Sequence, residues 1–153
     1  LNVEVGEAAK LMDDYFSRFG GVRDYLTGVV RQATKDGWTA TIMGRRRYLP
    51  DLSSENRQRR EMAERMALNA PIQGSAADII KVAMLNVDRE LTARGLRSRM
   101  LLQVHDELVL EIAAGELEEV KDLVVKEMSG AVELSVPLDV SVGVGTDWQT
   151  AGH

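Results

Sequence analysis

The first part of the chain repeats apolar residues at helical spacing. In residues 6–19 apolar positions recur every three or four residues, and Gly20-Gly21 ends the run. The same period continues through residues 22–33 toward Gly37. These patterns predict two amphipathic helices joined at the glycine pair.

A short hairpin is predicted next. Residues 38–42 and 46–49 are typical of strands, with Met43-Gly44-Arg45 between them and Pro50 after them. The turn and the outgoing strand carry three consecutive arginines, Arg45, Arg46 and Arg47. The hairpin is therefore a candidate basic surface.

The middle of the chain predicts two helices separated by a break. Ser53 or Ser54 suits the N-cap of a helix over residues 57–68. Asn69-Ala70-Pro71 interrupts it, because proline lacks a backbone N–H and its ring clashes with the preceding helical turn. Pro71 is better placed as the first residue of a new helix, whose apolar stripe runs from Ile72 to Leu91 and ends near Gly95.

The last third predicts a sheet. Residues 101–111 read LLQVHDELVLE, in which two apolar strand-like runs flank a polar turn. Residues 117–128 have helical periodicity, and residues 138–144 alternate as a final strand. The order of strand, acidic turn, strand, helix and strand predicts an α+β fold with a small antiparallel sheet packed by helices.

Charge is unevenly distributed along the 153 residues, whose formal net charge is −5. Residues 1–100 hold 17 Lys and Arg against 13 Asp and Glu, whereas residues 101–153 hold 2 against 11. Arginine suits bidentate phosphate contacts, so the arginines concentrated in residues 45–65 favour a nucleic-acid partner. A solvated helix face explains some of them equally well. No run has the length of a membrane span and the start does not resemble a signal peptide, so we expect a soluble protein. The absence of cysteine suits a reducing compartment, and we expect a cytoplasmic location.

Candidate metal ligands are limited to oxygen donors. The chain has no cysteine, and His105 and His153 are its only imidazoles. A site built on Asp106 would therefore suit magnesium or manganese. Strands buried in a core on both sides would hold the carboxylates of Asp106 and Glu107 rigidly in place, which favours metal binding or acid–base chemistry at this turn.

A candidate DNA-reading face lies before and after the predicted break. Arg65 and Asn69 are four residues apart, and Gln73 follows after four more, so all three are expected on one face. A cation and two amides suit contacts in the minor groove. Two purely structural interpretations stay open. Asn69 and Gln73 could be helix caps, and the small residues of segment 73–78 could allow tight helix packing.

Three blocks carry a resemblance to a known family. They are residues 44–51 (GRRRYLPD), residues 64–78 (ERMALNAPIQGSAAD) and residues 103–109 (QVHDELV). In this order and spacing they resemble the C-terminal part of the family A DNA polymerases. The His-Asp-Glu order resembles the DNA-synthesising branch, since single-subunit phage-type RNA polymerases usually carry His-Asp-Ser there.

The resemblance implies a role for each matching residue. Asp106 would be one of two metal-binding aspartates of the palm, Glu107 a nearby catalytic carboxylate, and His105 a residue against the primer end. Arg65, Asn69 and Gln73 would contact primer and template, with Arg45 and Arg46 near the template strand. The implied cofactor is a pair of Mg²⁺ ions, and the implied partners are primer-template DNA and dNTP. Residues 1–70 would be part of a helical fingers subdomain and residues 71–153 part of the palm.

The resemblance also implies that polymerase activity requires an upstream part of the polypeptide. The family's other catalytic aspartate and its nucleotide-binding helix lie upstream of the matching blocks, so we expect a C-terminal fragment that is inactive without the upstream remainder. An alternative is a non-catalytic DNA-binding module derived from a polymerase. A hydrolase with a His105–Asp106 dyad is disfavoured, because adjacent strand residues point to opposite faces and no nucleophile is evident.

Overall fold

The computed structural model describes residues 4–152, so His153 and the first three residues lie outside it. Its elements are α1 (Val5–Arg18), α2 (Gly20–Asp36), β1 (Trp38–Ala40), β2 (Arg46–Tyr48), a 3₁₀ helix (Pro50–Ser53), α3 (Arg57–Ala93), β3 (Arg99–Val104), β4 (Glu107–Glu111), α4 (Leu117–Ser129) and α5 (Trp148–Ala151). The chain divides into two compact units, residues 1–75 (unit 1) and 76–153 (unit 2). The mixture of helices and small antiparallel sheets agrees with the predicted α+β class. No helix in residues 4–152 is long and apolar enough to span a membrane.

Helices α1 and α2 confirm the first prediction, with a shifted joint. Phe19 leaves the helical conformation at φ −118° and ψ 56°, and Gly20 begins α2 rather than ending α1. Gly37 adopts a left-handed φ of 76° and donates its N–H to the Ala33 carbonyl at 2.8 Å, which ends α2.

The apolar stripe of α1 is exposed. Leu11, Tyr15 and Phe19 retain 58%, 51% and 46% of their accessible surface. Only an apolar partner on this face would give these side chains the burial that their helical spacing indicates.

The predicted arginine hairpin is confirmed. Strands β1 and β2 pair antiparallel with Trp38 opposite Tyr48 and Ala40 opposite Arg46. Thr39 is buried between these positions on the opposite face. The small core of unit 1 joins α2, the segment after the hairpin and α3 through Ala33, Leu49, Leu52, Ala63 and Ala67.

The predicted break at Pro71 is wrong. Helix α3 runs for 37 residues with Pro71 inside it. A proline in a helix interior removes one hydrogen bond and costs about 3 kcal/mol. Here the Pro71 ring is buried and Ala67, one turn earlier, is fully buried, so packing on this face keeps the helix continuous.

The predicted N-cap of this helix is also wrong. Ser53 ends the 3₁₀ helix, and the Ser54 hydroxyl accepts a hydrogen bond from the Asn56 amide. The Asn56 side-chain oxygen instead accepts the Arg59 N–H at 3.2 Å, as an N-cap residue does.

Unit 2 contains the predicted acidic hairpin and the predicted helix α4. Strands β3 and β4 pair antiparallel, with an irregularity between Met100 and Leu102. The expectation of buried strands is wrong, because Leu101 and Leu102 are 52% and 46% exposed in a sheet of two strands. The core of unit 2 joins α3 to α4 through Val87, Leu91, Val120, Leu123 and Val124, with Leu110 of β4 packed against it.

The predicted final strand over residues 138–144 is absent from the structure. This segment forms no strand, and Val142 and Val144 are 39% and 55% exposed. A strand exists only through hydrogen bonds to a neighbour, and an alternating sequence alone does not supply one.

Candidate nucleic-acid interface and acidic turn

The three consecutive arginines of the hairpin have three different partners. The Arg46 guanidinium lies over the Trp38 ring, 4.2 Å from its centroid. The Arg47 guanidinium donates to the Met66 sulfur at 3.7 Å. The Arg45 guanidinium donates to the Gly74 carbonyl at 3.0 Å. Stacking on an aromatic face leaves the N–H edge of a guanidinium open, so Arg46 is the best placed of the three for a phosphate.

The turn of the hairpin lies directly on α3. The Ser75 hydroxyl accepts the Ile42 N–H at 3.0 Å and donates to the Pro71 carbonyl. A Cβ on Gly74 would lie 2.7 Å from Thr41 Cγ2. At Gly74 and Ser75 the tight-packing reading of the small-residue segment is therefore confirmed.

The predicted DNA-reading face lies on one uninterrupted helix. Arg65, Asn69 and Gln73 are four residues apart within α3, and all three are exposed. This spacing places their side chains along one face. Since α3 begins at Arg57, neither Asn69 nor Gln73 is at a helix end, and both capping readings are wrong.

The acidic turn is a two-residue connection between β3 and β4. Val104 pairs with Glu107, which leaves His105 and Asp106 as the turn. His105 has a φ of 54°, the left-handed region that non-glycine residues adopt mainly in turns. The Gln103 side-chain amide donates to the His105 carbonyl. His105, Asp106 and Glu107 are all exposed, so the turn presents its polar groups to solvent.

The acidic turn offers oxygen ligands but not a complete metal site. Within residues 4–152 there is no group of three or more His, Asp or Glu side chains arranged to hold a metal ion. Carboxylate oxygens are the ligands that Mg²⁺ prefers, so the side chains of Asp106 and Glu107 are chemically suited to bind this ion.

Sequence reasoning did not identify Glu116, which anchors the base of the acidic hairpin. Its carboxylate accepts the Ser98 hydroxyl at 2.7 Å and the Ser98 and Arg97 N–H groups at 2.9 Å and 3.0 Å. The Ser98 hydroxyl in turn accepts the Ala113 N–H at 2.9 Å. The hydrogen bond from the Ser98 hydroxyl, together with those from the backbone, lowers the pKa of Glu116 from 4.5 to about 2. The partners are 18 and 19 residues away in sequence, so no local motif signals this site.

Comparison with known proteins identifies relatives across the whole chain. The sequence profile of DNA polymerase family A matches residues 1–150. DNA polymerase I of Mycobacterium tuberculosis is 64% identical over 153 residues, and DNA polymerase I of Streptococcus pneumoniae is 48% identical over 151 residues. These matches cover 100% and 99% of this chain, which spans 17% of the length of each relative.

A solved structure has the same fold. The POL domain of Pol1 from M. smegmatis, in complex with DNA primer-template and dNTP, superimposes with a TM-score of 0.95 at 62% sequence identity. The match covers 99% of this chain and 27% of the M. smegmatis chain.

Proposed function

Because the chain belongs to DNA polymerase family A, we propose that it is the C-terminal part of a DNA-directed DNA polymerase, which transfers nucleotides from dNTP to a primer 3′-hydroxyl. The observation that carries this proposal is the match to a polymerase domain bound to primer-template and dNTP, over 99% of the chain. On this proposal residues 1–70 belong to the fingers and residues 71–153 to the palm. The protein would act on chromosomal DNA in the bacterial cytoplasm.

Asp106 is the proposed metal ligand and, with the adjacent Glu107, the proposed catalytic carboxylate. Both are exposed where the β3–β4 hairpin reverses direction, a position from which they can approach a second chain segment and DNA together. Magnesium ions bound there would activate the primer hydroxyl and neutralise charge on the departing pyrophosphate. The second metal-binding aspartate would come from an upstream remainder of the polypeptide.

The proposed DNA contacts lie in both units. Arg65, Asn69 and Gln73 would contact primer and template from the exposed face of α3. His105, held in a left-handed turn, would lie against the primer end. Arg46, stacked on Trp38, would bind a template phosphate. Arg45 lies beside it, but its guanidinium already bonds to α3.

A second candidate function is a DNA-binding module without catalysis. It is favoured by one observation: the part of the chain between residues 4 and 152 has no complete cluster of metal ligands. The two functions differ in whether Asp106 matters, because a binding module needs only the basic and amide side chains.

The test uses M. tuberculosis DNA polymerase I in which this chain replaces the matching 153 residues, hereafter the grafted polymerase. We expect magnesium-dependent primer extension by the grafted polymerase and none by the isolated chain. Asp106→Asn should reduce extension by more than the roughly 10–100-fold that loss of an outer metal partner costs, with primer-template affinity retained.

The matched control is Glu111→Gln, which removes an exposed carboxylate from β4 that pairs with Arg99 at 2.6 Å. It should extend primers normally. Normal primer extension by the Asp106→Asn variant would show that Asp106 is not a catalytic residue. Duplex binding without extension by the unmutated grafted polymerase would favour the binding module.

A further inference from the structure

The turn of the arginine hairpin, residues 41–45, is fastened to α3 by three separate contacts. We propose that Arg45, Gly74 and Ser75 form a latch that sets the position of the hairpin relative to Gln73. Arg45 and Ser75 are then positioning residues for primer-template binding. This inference rests on the proposed polymerase function.

Arg45 contributes a side-chain bond from a rigid turn. Its guanidinium donates to the Gly74 carbonyl at 3.0 Å. Its backbone N–H donates to Thr41 Oγ1 at 3.2 Å, and its carbonyl accepts the Thr41 N–H at 3.0 Å. The turn is therefore closed on itself, and the bond to Gly74 ties the whole turn to the helix.

Ser75 contributes a hydroxyl that is used in both directions. It donates to the Pro71 carbonyl one turn earlier, a common arrangement for serine inside a helix. It also accepts the Ile42 N–H from the turn at 3.0 Å. Ser75 is only 9% exposed, so water does not readily replace its hydroxyl.

Gly74 allows the close approach that both bonds require. A Cβ at this position would lie 2.7 Å from Thr41 Cγ2, whereas non-bonded carbon atoms prefer about 3.5–4.0 Å. Any side chain at Gly74 would therefore require Thr41 to shift, and the hydroxyl of Thr41 is held by the Arg45 N–H at 3.2 Å.

The latch joins two sets of proposed DNA contacts. Gln73 directly precedes Gly74 on α3, and Arg46 directly follows Arg45 on the hairpin. Both lie in unit 1, so the latch fixes their spacing within one compact unit. Loosening it should weaken the contacts of Arg46 and Gln73 with DNA together, without removing either side chain.

The competing reading is that Arg45 itself binds a DNA phosphate. The two interpretations differ in salt dependence. Log affinity falls as log salt concentration rises, and each lost phosphate contact reduces the steepness of this fall by about 1. A positioning residue changes affinity with much less change in that slope.

The first experiment measures primer-template affinity across a salt series for the grafted polymerase and its Arg45→Met and Ser75→Ala variants. Each variant should bind on the order of 3- to 30-fold more weakly with nearly the original salt slope, although only one of them loses a charge. The variant that carries both substitutions should bind primer-template little more weakly than whichever single variant binds it less tightly. Arg45→Lys, which keeps one donor, should recover part of the affinity.

Ser53→Ala is the matched control for Ser75→Ala, since the Ser53 hydroxyl donates to the nearby Pro50 carbonyl at 3.2 Å. It should bind as the unmutated protein does. A salt dependence that is less steep by about 1 in Arg45→Met, with no effect of Ser75→Ala on affinity, would overturn the latch and make Arg45 a phosphate contact.

The second experiment adds and then relieves the clash. Gly74→Ala should weaken binding, and Thr41→Ser in the same molecule should restore it, because serine lacks Cγ2 but keeps the hydroxyl that accepts the Arg45 N–H. Gly28→Ala is the control, because an added Cβ there meets nothing within 4 Å. Equal affinity of Gly74→Ala and the unmutated protein, or no rescue by Thr41→Ser, would overturn the latch. Failure of the proposed function would instead appear in the unmutated grafted polymerase.

Discussion

Glu116 shows what a single carboxylate does in unit 2. It joins the residues before β3, the segment after β4 and the start of α4, and its low pKa means that folding favours the ionised form. A carboxyl whose pKa is lower in the folded state stabilises at pH values above its ordinary pKa, and this contribution is lost as the pH falls through the folded value. Its contribution should therefore be complete above about pH 4.5 and disappear toward pH 2.

We expect Glu116→Gln to speed hydrogen exchange at the Arg97 and Ser98 amides at neutral pH, because a neutral acceptor forms weaker bonds than a carboxylate. In the grafted polymerase, the difference between variant and unmutated protein should shrink between pH 4.5 and pH 2. Glu118→Gln, an exposed carboxylate in the first turn of α4, is the control and should leave both amides unchanged. Identical exchange in Glu116→Gln and the unmutated protein would show that the carboxylate does not hold this junction.

For individual residues, the sequence predicts which polar side chains are exposed better than it predicts which partners they bind. The exposure of Arg65, Asn69 and Gln73 on one face follows from spacing and polarity alone. The bond from Arg45 to Gly74 does not, because it joins positions 29 residues apart and depends on how closely the turn approaches α3. The same limit applies to Glu116.

Among the helices, α4 depends on a few fully buried side chains. Leu123 is 1% exposed and packs with Val87, Leu91 and Val120. Leu123→Ala should lower the free energy of opening of α4 by about 2–5 kcal/mol, measured by native-state hydrogen exchange of its amides in the grafted polymerase. Leu117→Ala removes the same atoms from a position that is 37% exposed and should cost clearly less. Similar losses in both variants would mean that Leu123 is not packed as described.

The sequence predicts helices and hairpins that follow from local periodicity. It does not predict features that depend on packing or hydrogen bonding with distant parts of the chain. Helices α1, α2 and α4 and both hairpins follow from spacing and turn residues. The continuity of α3 through Pro71 does not, because it depends on the packing around Ala67 and Pro71, which a sequence does not display.

Across residues 4–152, several large apolar side chains remain exposed. Leu11, Tyr15 and Phe19 on α1 are exposed, as are Val142 and Val144 near the C-terminal end. Exposed apolar groups of this size are typical of surfaces that another chain segment covers. The proposal that a longer polymerase polypeptide surrounds this chain accounts for both regions.

The segment 138–144 provides a direct test of that proposal. Its alternating sequence suits a strand, yet it forms none here, so its backbone groups lack the ladder partners that a sheet supplies. In the isolated chain we expect its amides to exchange at nearly the rate of an unstructured peptide. In the grafted polymerase they should exchange at least about 100-fold more slowly, because an upstream strand would pair with them. The amides of α4 serve as the internal control and should be protected in both proteins. Fast exchange of the segment in the grafted polymerase, with α4 protected, would show that no strand pairs with it and that its alternation has another cause.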